Sequence, residues 1–88
     1  MFCILVYDIN EKRVAKMLKL MRQYLNWIQN SVFEGDLTNG QIEELLLRAK
    51  KIMKKEEDSI ILYTLQNQKF VEKTEIGLDK SQLTSNMI

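Results

Sequence analysis

Three short runs of apolar residues constrain the fold of this chain more than any other feature of its sequence. The runs FCILVYD (2–8), WIQNSVFE (27–34) and SIILYTL (59–65) are too short for amphipathic helices and rich in β-branched and aromatic residues. Each therefore predicts a β-strand. Successive side chains of a strand point to opposite sides, and in these runs both sides are apolar. The sequence thus predicts a sheet with two hydrophobic faces.

The rest of the chain supplies two helices and one more strand. Apolar side chains recur every three or four residues over 11–25 and about 39–55, which is the pattern of an amphipathic helix. FVEKTEI (70–76) carries charges and predicts an edge strand or an exchanged strand. A further short strand can be accommodated within 34–38, where turn residues cluster.

This order of elements predicts an α+β fold, a ferredoxin-like β-α-β-β-α-β sandwich with an extra C-terminal strand. We expect residues 1–77 to form the ferredoxin-like domain and residues 78–88, which show no periodicity, to form a C-terminal tail. Two helices cover only one face of the sheet, and a monomer seldom exposes an apolar patch above a few hundred Å². We therefore expect a symmetric homodimer across the uncovered face, the alternative being that the tail folds over it.

The chain has no His and a single Cys, which excludes several classes of chemistry. His general bases, Ser-His or Cys-His nucleophile pairs, His-ligated zinc and an internal disulfide are all ruled out. Cys3 lies in an apolar run and predicts a buried thiol, which suits a reducing cytoplasm. No run approaches the roughly 20 apolar residues of a membrane span, so we expect a cytoplasmic protein without a membrane segment.

Asp8 closes the first strand just before a basic helix, and two interpretations of it stay open. With Glu11 it fits a D-x-x-E capping box, although Asn10 could cap the helix instead. Alternatively, two Asp8 side chains brought together by a twofold axis would hold a magnesium ion, whose bound water could attack a phosphodiester. Without His, this is nearly the only hydrolytic chemistry that the chain could perform.

Basic residues are concentrated in the two helices, although the net charge is only +1. The first helix carries Lys12, Arg13, Lys16, Lys19 and Arg22, and residues 48–55 hold five more basic residues and no acid. Such patches predict binding to a phosphate-bearing partner, through a nucleic-acid backbone and largely without sequence preference. Ordinary solvated lysines are the alternative.

Three segments, taken in order, resemble the Cas-two family of CRISPR-associated proteins. They are VYDI (6–9), WIQNSVFEGDL (27–37) and DSIILYTL (58–65), and the resemblance covers about residues 2–77. It implies a ferredoxin-like homodimer, often with an exchanged C-terminal strand, that partners the CRISPR integrase in spacer acquisition. Some members of that family are metal-dependent endoribonucleases or DNases, whereas others act mainly as a bridge that holds duplex DNA between integrase dimers.

The resemblance also implies roles for particular residues. Asp8 corresponds to the family's metal-binding Asp, with Mg²⁺ as the expected cation, and Tyr7 and Ser31 are its motif neighbours in a catalytic site. Phe33 matches the aromatic of the motif, which packing in the core or the dimer also explains. Trp27 departs from the basic residue of many relatives, which weakens the case for strong nuclease activity.

Two other functions stay open beside a DNA-binding adaptor of CRISPR adaptation. The chain could be an active magnesium-dependent endonuclease on single-stranded RNA or duplex DNA. Outside the family, it could be a dimeric ferredoxin-like module that binds a small ligand or a protein and has no nuclease activity.

Overall fold

The computed structural model describes residues 1–67 and 70–78, so residues 79–88 of the predicted tail lie outside the described part. The elements in chain order are β1 (Phe2–Asp8), α1 (Glu11–Arg22), β2 (Asn26–Gln29), β3 (Val32–Asp36), α2 (Asn39–Ile52), β4 (Ser59–Asn67) and β5 (Phe70–Gly77). This confirms the α+β fold. Within the described residues, neither helix is long and apolar enough to cross a bilayer.

Both helices end earlier than predicted, at Arg22 and Ile52 rather than at 25 and 55. The predicted single strand over 27–34 is wrong, because this segment reverses between β2 and β3. Asn30 sits at the reversal with a φ of 44°, a left-handed conformation in which Asn is enriched several-fold among non-glycine residues. The segment contains no Gly or Pro to mark the turn, so its apolar pattern alone predicts one continuous strand.

The five strands form one antiparallel sheet in the order β2-β3-β1-β4-β5. β1 occupies the centre, and β3 lies between β1 and β2, as in a split β-α-β unit. β5 pairs with β4 at one edge, which is the predicted extra C-terminal strand.

The two faces of the sheet are buried to different degrees. Cys3, Leu5 and Tyr7 of β1 are buried in the core, which α1 and α2 complete with apolar side chains of their own. Leu62 of β4 and Phe33 of β3 belong to the same core. The buried Cys3 thiol is as predicted, and burial raises its pKa.

The opposite side of the sheet, here called the open face, is apolar and only partly buried. Its apolar members are Phe2, Ile4, Val6, Val32, Ile61, Tyr63 and Leu65, and the register places the charged Glu34, Asp36, Lys73 and Glu75 on the same side. The apolar members form a continuous surface, because Val6 lies opposite both Val32 and Ile61 in the register of the strands. Both helices pack on the other side, so no helix of the described chain covers this face.

Gly77 fixes the end of β5 against the beginning of β4. It has a φ of 96°, and a Cβ at this position would lie 2.1 Å from the carbonyl oxygen of Asp58. The same carbonyl accepts a hydrogen bond of 2.9 Å from the backbone N–H of Leu78. Only Gly combines this backbone conformation with so close an approach.

We expect Gly77→Ala to lower the free energy of unfolding by about 1–3 kcal/mol, the usual cost of a strained backbone position. Gly40→Ala is the matched control, because a Cβ there would meet its nearest neighbour only at 4.0 Å. Gly40 lies in α2, where Ala should instead raise stability by up to about 1 kcal/mol. Urea unfolding followed by circular dichroism measures both, and equal stabilities would contradict the assigned role of Gly77.

Candidate functional site

Asp8 lies at the rim of the open face. It is the last residue of β1, is exposed, and pairs with Ser59 of β4. Strand alternation places it on the same side as Ile4 and Val6. The end of β1 thus places a carboxylate at the edge of an uncovered apolar surface.

Asp8 is not the cap of α1. Asn10 is the N-cap residue, and its side chain accepts a hydrogen bond of 3.0 Å from the backbone N–H of Lys12. The D-x-x-E interpretation of Asp8 is therefore wrong, and the alternative with Asn10 is confirmed. Helix capping therefore does not explain why a carboxylate stands at residue 8.

Tyr7 and Phe33 lie on the other side of the sheet from Asp8. Both are buried, and their rings stack with centroids 5.7 Å apart. Burial raises the pKa of the Tyr7 hydroxyl. The buried position of Phe33 agrees with a packing role in the core. Tyr7 directly precedes Asp8 in the sequence, but the Tyr7 ring faces the helices.

Ser31 is brought to the same end of the sheet as Asp8 through the backbone. Its carbonyl oxygen accepts a hydrogen bond of 3.1 Å from the backbone N–H of Tyr7. The β2–β3 turn is thereby held beside the last residues of β1. We use the term β1 end for the residues Asp8, Ser31 and Ser59, which belong to three segments that lie side by side in the structure.

A buried ion pair lies directly behind the β1 end. The carboxylate of Asp58 is fully buried and accepts four hydrogen bonds, two on each oxygen. Arg13 donates two of them, at 2.7 Å and 3.0 Å, and the backbone N–H groups of Asn10 and Lys54 donate the others at 2.8 Å and 2.9 Å. The hydrogen bonds from Arg13 hold the pKa of Asp58 well below its ordinary value of 3.8, and those to Asp58 raise the pKa of Arg13.

This pair bears on the predicted role of Arg13. Its side chain is only 13% exposed, and it also contacts Glu57 at 3.0 Å. The guanidinium therefore joins the start of α1 to the turn before β4, and its role in nucleic-acid binding stays a prediction. The sequence patterns described above do not single out Asp58, although an acid directly preceding the apolar run SIILYTL is a usable signal.

The remaining predicted basic residues of α1 are exposed on the helix layer. They are Lys12, Lys16, Lys19 and Arg22. A groove of about 420 Å³ runs between α1 and α2, with cationic residues along it and apolar carbon at its base. Its lining consists of Lys16, Lys19, Arg48 and Lys51 with Leu20, Gln23 and Ile52.

Arg48 holds a fixed position in this groove. Its guanidinium donates hydrogen bonds of 3.0 Å to the Gln23 side chain and to the Tyr24 hydroxyl, and lies 5.6 Å from the centre of the Tyr24 ring. The two helices thus present one cationic surface, whereas the sequence predicts a separate basic patch on each helix.

The donor set for a divalent cation is small. The described residues contain no cluster of three or more His, Cys, Asp or Glu side chains that could enclose a metal ion. The oxygens of Asp58 are already committed to four hydrogen bonds. Mg²⁺ is commonly bound by one or two carboxylates, with waters and substrate phosphates completing the octahedron. An exposed Asp8 fits that kind of site, in which a second copy or the substrate supplies further oxygen ligands.

Comparison with known proteins adds the family. Residues 1–73 match the model of the CRISPR associated protein Cas2 family. A protein from Thermotoga maritima, named CRISPR-associated endoribonuclease Cas2, is 45% identical over 82 residues, which cover 93% of this chain and 94% of that protein. The protein of the same name from Dictyoglomus turgidum is 42% identical, with the same coverage of 93% and 94%.

The fold has a counterpart among solved structures as well. A crystal structure described as cas2 superposes with a TM-score of 0.73 at 46% sequence identity, covering 92% of this chain and 91% of that one. At this identity the likeness extends beyond the fold to the sequence.

We expect Asp58→Ala to lower the free energy of unfolding by about 3–5 kcal/mol, because it leaves Arg13 buried without its partner. Glu57→Ala is the matched control. Its carboxylate contacts the same Arg13, but its side chain is 49% exposed, so the loss should stay below about 1 kcal/mol. Chemical denaturation of both variants makes the comparison, and similar losses would show that the buried contact is not the stabilising one.

The same pair predicts a dependence on pH. Because the folded pKa of Asp58 is depressed, its contribution is fully present above the ordinary value of 3.8 and is lost as pH falls toward the folded pKa. The stability of the wild type should therefore decline below about pH 4 by an amount that Asp58→Ala no longer shows.

Proposed function

The chain belongs to the CRISPR-associated protein Cas2 family, and we propose that it is a homodimeric subunit of CRISPR adaptation that hydrolyses phosphodiester bonds. In this proposal Asp8 from each protomer holds a divalent cation. The observation that carries it is the position of Asp8, an exposed carboxylate at the rim of an uncovered apolar face. The nuclease names of the relatives support the same chemistry.

The open face supplies the reason for dimerisation. Covering even ~500 Å² of such surface would favour association by roughly 12 kcal/mol before the costs of association. A twofold axis presents the same surface on both copies, so Asp8 would lie at the rim of the interface in each. Two carboxylates near one axis provide the oxygen ligands that a single chain lacks.

The residues of the β1 end then have distinct tasks. Asp8 binds the cation, and a bound Mg²⁺ would supply charge neutralisation at the phosphate and a water of lowered pKa. Ser31 brings a hydroxyl to the same end of the sheet for positioning a phosphate oxygen. Tyr7 contributes its backbone N–H, which fixes the turn containing Ser31. Cys3 is too deeply buried to take part.

A second function, binding of duplex DNA as a bridge to the CRISPR integrase, is favoured by the cationic helix layer. Its exposed basic residues and the groove of Lys16, Lys19, Arg48 and Lys51 lie on the side of the sheet away from the open face. Dimerisation and backbone binding would therefore not compete for one surface. Binding of this kind is insensitive to sequence and weakens steeply with salt.

We expect Asp8→Asn to reduce magnesium-dependent cleavage of RNA or DNA by more than about 100-fold, since even the outer-shell partners of metal ligands are worth roughly 10–100-fold. Asp36→Asn is the matched control. Asp36 is an exposed carboxylate that pairs with Phe2, at the opposite end of the sheet. Cleavage of labelled oligonucleotides is measured with Mg²⁺ and with a chelator.

Two results of that experiment would revise the proposal. Full activity in Asp8→Asn would show that the cation is held elsewhere. Absence of any metal-dependent cleavage in the wild type, with DNA binding intact, would favour the bridge without catalysis.

We expect sedimentation velocity to show a dimer of the 10.4 kDa chain, and a larger complex when a short DNA duplex is added at low salt. Tyr63→Glu, on the open face, should shift the dimer to monomer, because it places a charge in the interface. Leu47→Glu is the control, since Leu47 is 58% exposed on α2. A wild-type monomer at high concentration would overturn the dimer, and a dimer without DNA binding would favour a protein- or ligand-binding module.

A further inference from the structure

Trp27 is a large aromatic side chain held in an exposed position. It is the only Trp of the chain, and its side chain is 51% exposed on the edge strand β2. Its indole N–H donates a hydrogen bond of 2.9 Å to the carbonyl oxygen of Asn30, across the β2–β3 turn. Trp normally buries much of its surface, so an indole that is fixed yet exposed is ready to contact a planar partner.

The turn that holds Trp27 also reaches the β1 end. Asn30 accepts the hydrogen bond from Trp27, and the next residue, Ser31, accepts the one from the backbone N–H of Tyr7, at 3.1 Å. Tyr7 is the residue directly before Asp8. Two hydrogen bonds and one short turn thus connect the indole to the backbone next to Asp8. The indole lies on the helix side and Asp8 on the open face, so a strand of nucleic acid that meets both must pass around this end of the sheet.

Trp27 also stays clear of the surface proposed for dimerisation. It pairs with Phe33 across the β2–β3 ladder, and paired residues lie on the same side of a sheet. Phe33 is buried on the helix side, opposite the open face. Since β2 is the edge strand of the sheet, contact between two open faces would leave this side of Trp27 accessible.

We propose that Trp27 is a stacking platform for one unpaired base of a single-stranded nucleic acid whose backbone passes the β1 end. This inference rests on the proposed function and adds to it a preference for single strands at this position. Every base has a π-face, so stacking tolerates any sequence, whereas the bases of an intact duplex are stacked on one another. Trp27 would thereby select a flexible strand for the chemistry at Asp8, whereas duplex DNA bound to the helix layer would offer it no unpaired base to stack on.

Because the chain contains no other Trp, its intrinsic fluorescence reports on this residue alone. The full-length protein is titrated at low salt with a short single-stranded RNA, the same sequence as single-stranded DNA, and a blunt DNA duplex of equal length. We expect saturable quenching of the indole emission by both single strands. The duplex should bind, as seen by anisotropy of a labelled strand, and leave the emission unchanged.

Variants separate stacking from other contributions. Trp27→Ala should weaken binding of the single strands by about 10-fold and that of the duplex by less than about 2-fold. Trp27→Phe keeps a ring while losing the indole N–H, so its single-strand binding should stay within about 3-fold of the wild type. Phe70→Ala is the matched control, because Phe70 is 52% exposed on β5, at the opposite edge of the sheet.

The outcomes distinguish this inference from the function on which it rests. If the wild type cleaves RNA through Asp8 but Trp27→Ala binds single strands as tightly, or if bound single strands leave the indole emission unchanged, the platform is refuted and the nuclease stands. If the wild type binds no nucleic acid at low salt, both the Trp27 platform and the proposed function are refuted. Should Trp27→Ala fail to fold, the quenching titration of the wild type decides the matter, together with the single-strand affinity of Trp27→Phe measured by anisotropy.

Discussion

The hydrogen-bonded pair of Asp58 and Arg13 is the interaction on which the geometry of this protein depends. Asp58 accepts hydrogen bonds from the segment after β1, from α1 and from the end of the α2 segment, at Asn10, Arg13 and Lys54. Two segments that are distant in sequence, residues 10–13 and 54–58, meet at one buried carboxylate. Leaving any of these donors without its acceptor would be costly, so the pair helps to hold the start of α1 against the turn before β4. Asp8 lies two residues before Asn10, one of the donors.

A second constraint is the mismatch between a sheet that is apolar on both sides and a helix layer that covers one. The helix layer seals the core of Cys3, Leu5 and Phe33 and carries the cationic groove on its outer surface. The open face is left for another copy in the proposed dimer. Each side of the sheet thus has one proposed role, and Asp8 lies at the rim of the open face.

The chemistry available to the chain is narrow, and its family membership agrees with that. With no His, hydrolysis by a carboxylate and a hard cation is nearly the only route open, and it is the one proposed above. The proposed division of labour follows from the layout: Asp8 for the cation, the helix layer for the phosphate backbone, and Trp27 for an unpaired base. In this proposed arrangement Trp27 holds the substrate by stacking, and the basic residues of the helix layer hold it by charge.

The sequence by itself determined the strands β1, β4 and β5, both helices, the two-sided apolar sheet and the buried Cys3, because strand and helix periodicity are local properties of the chain. It also singled out Asp8 and placed it on the side of Ile4 and Val6. Only the tertiary structure decided the rest. The turn at Asn30, the pairing of Arg13 with Asp58 across 45 positions and the exposure of Trp27 depend on which segments meet and in what register. Register is a property of the assembled sheet, and no local pattern in these segments specified it.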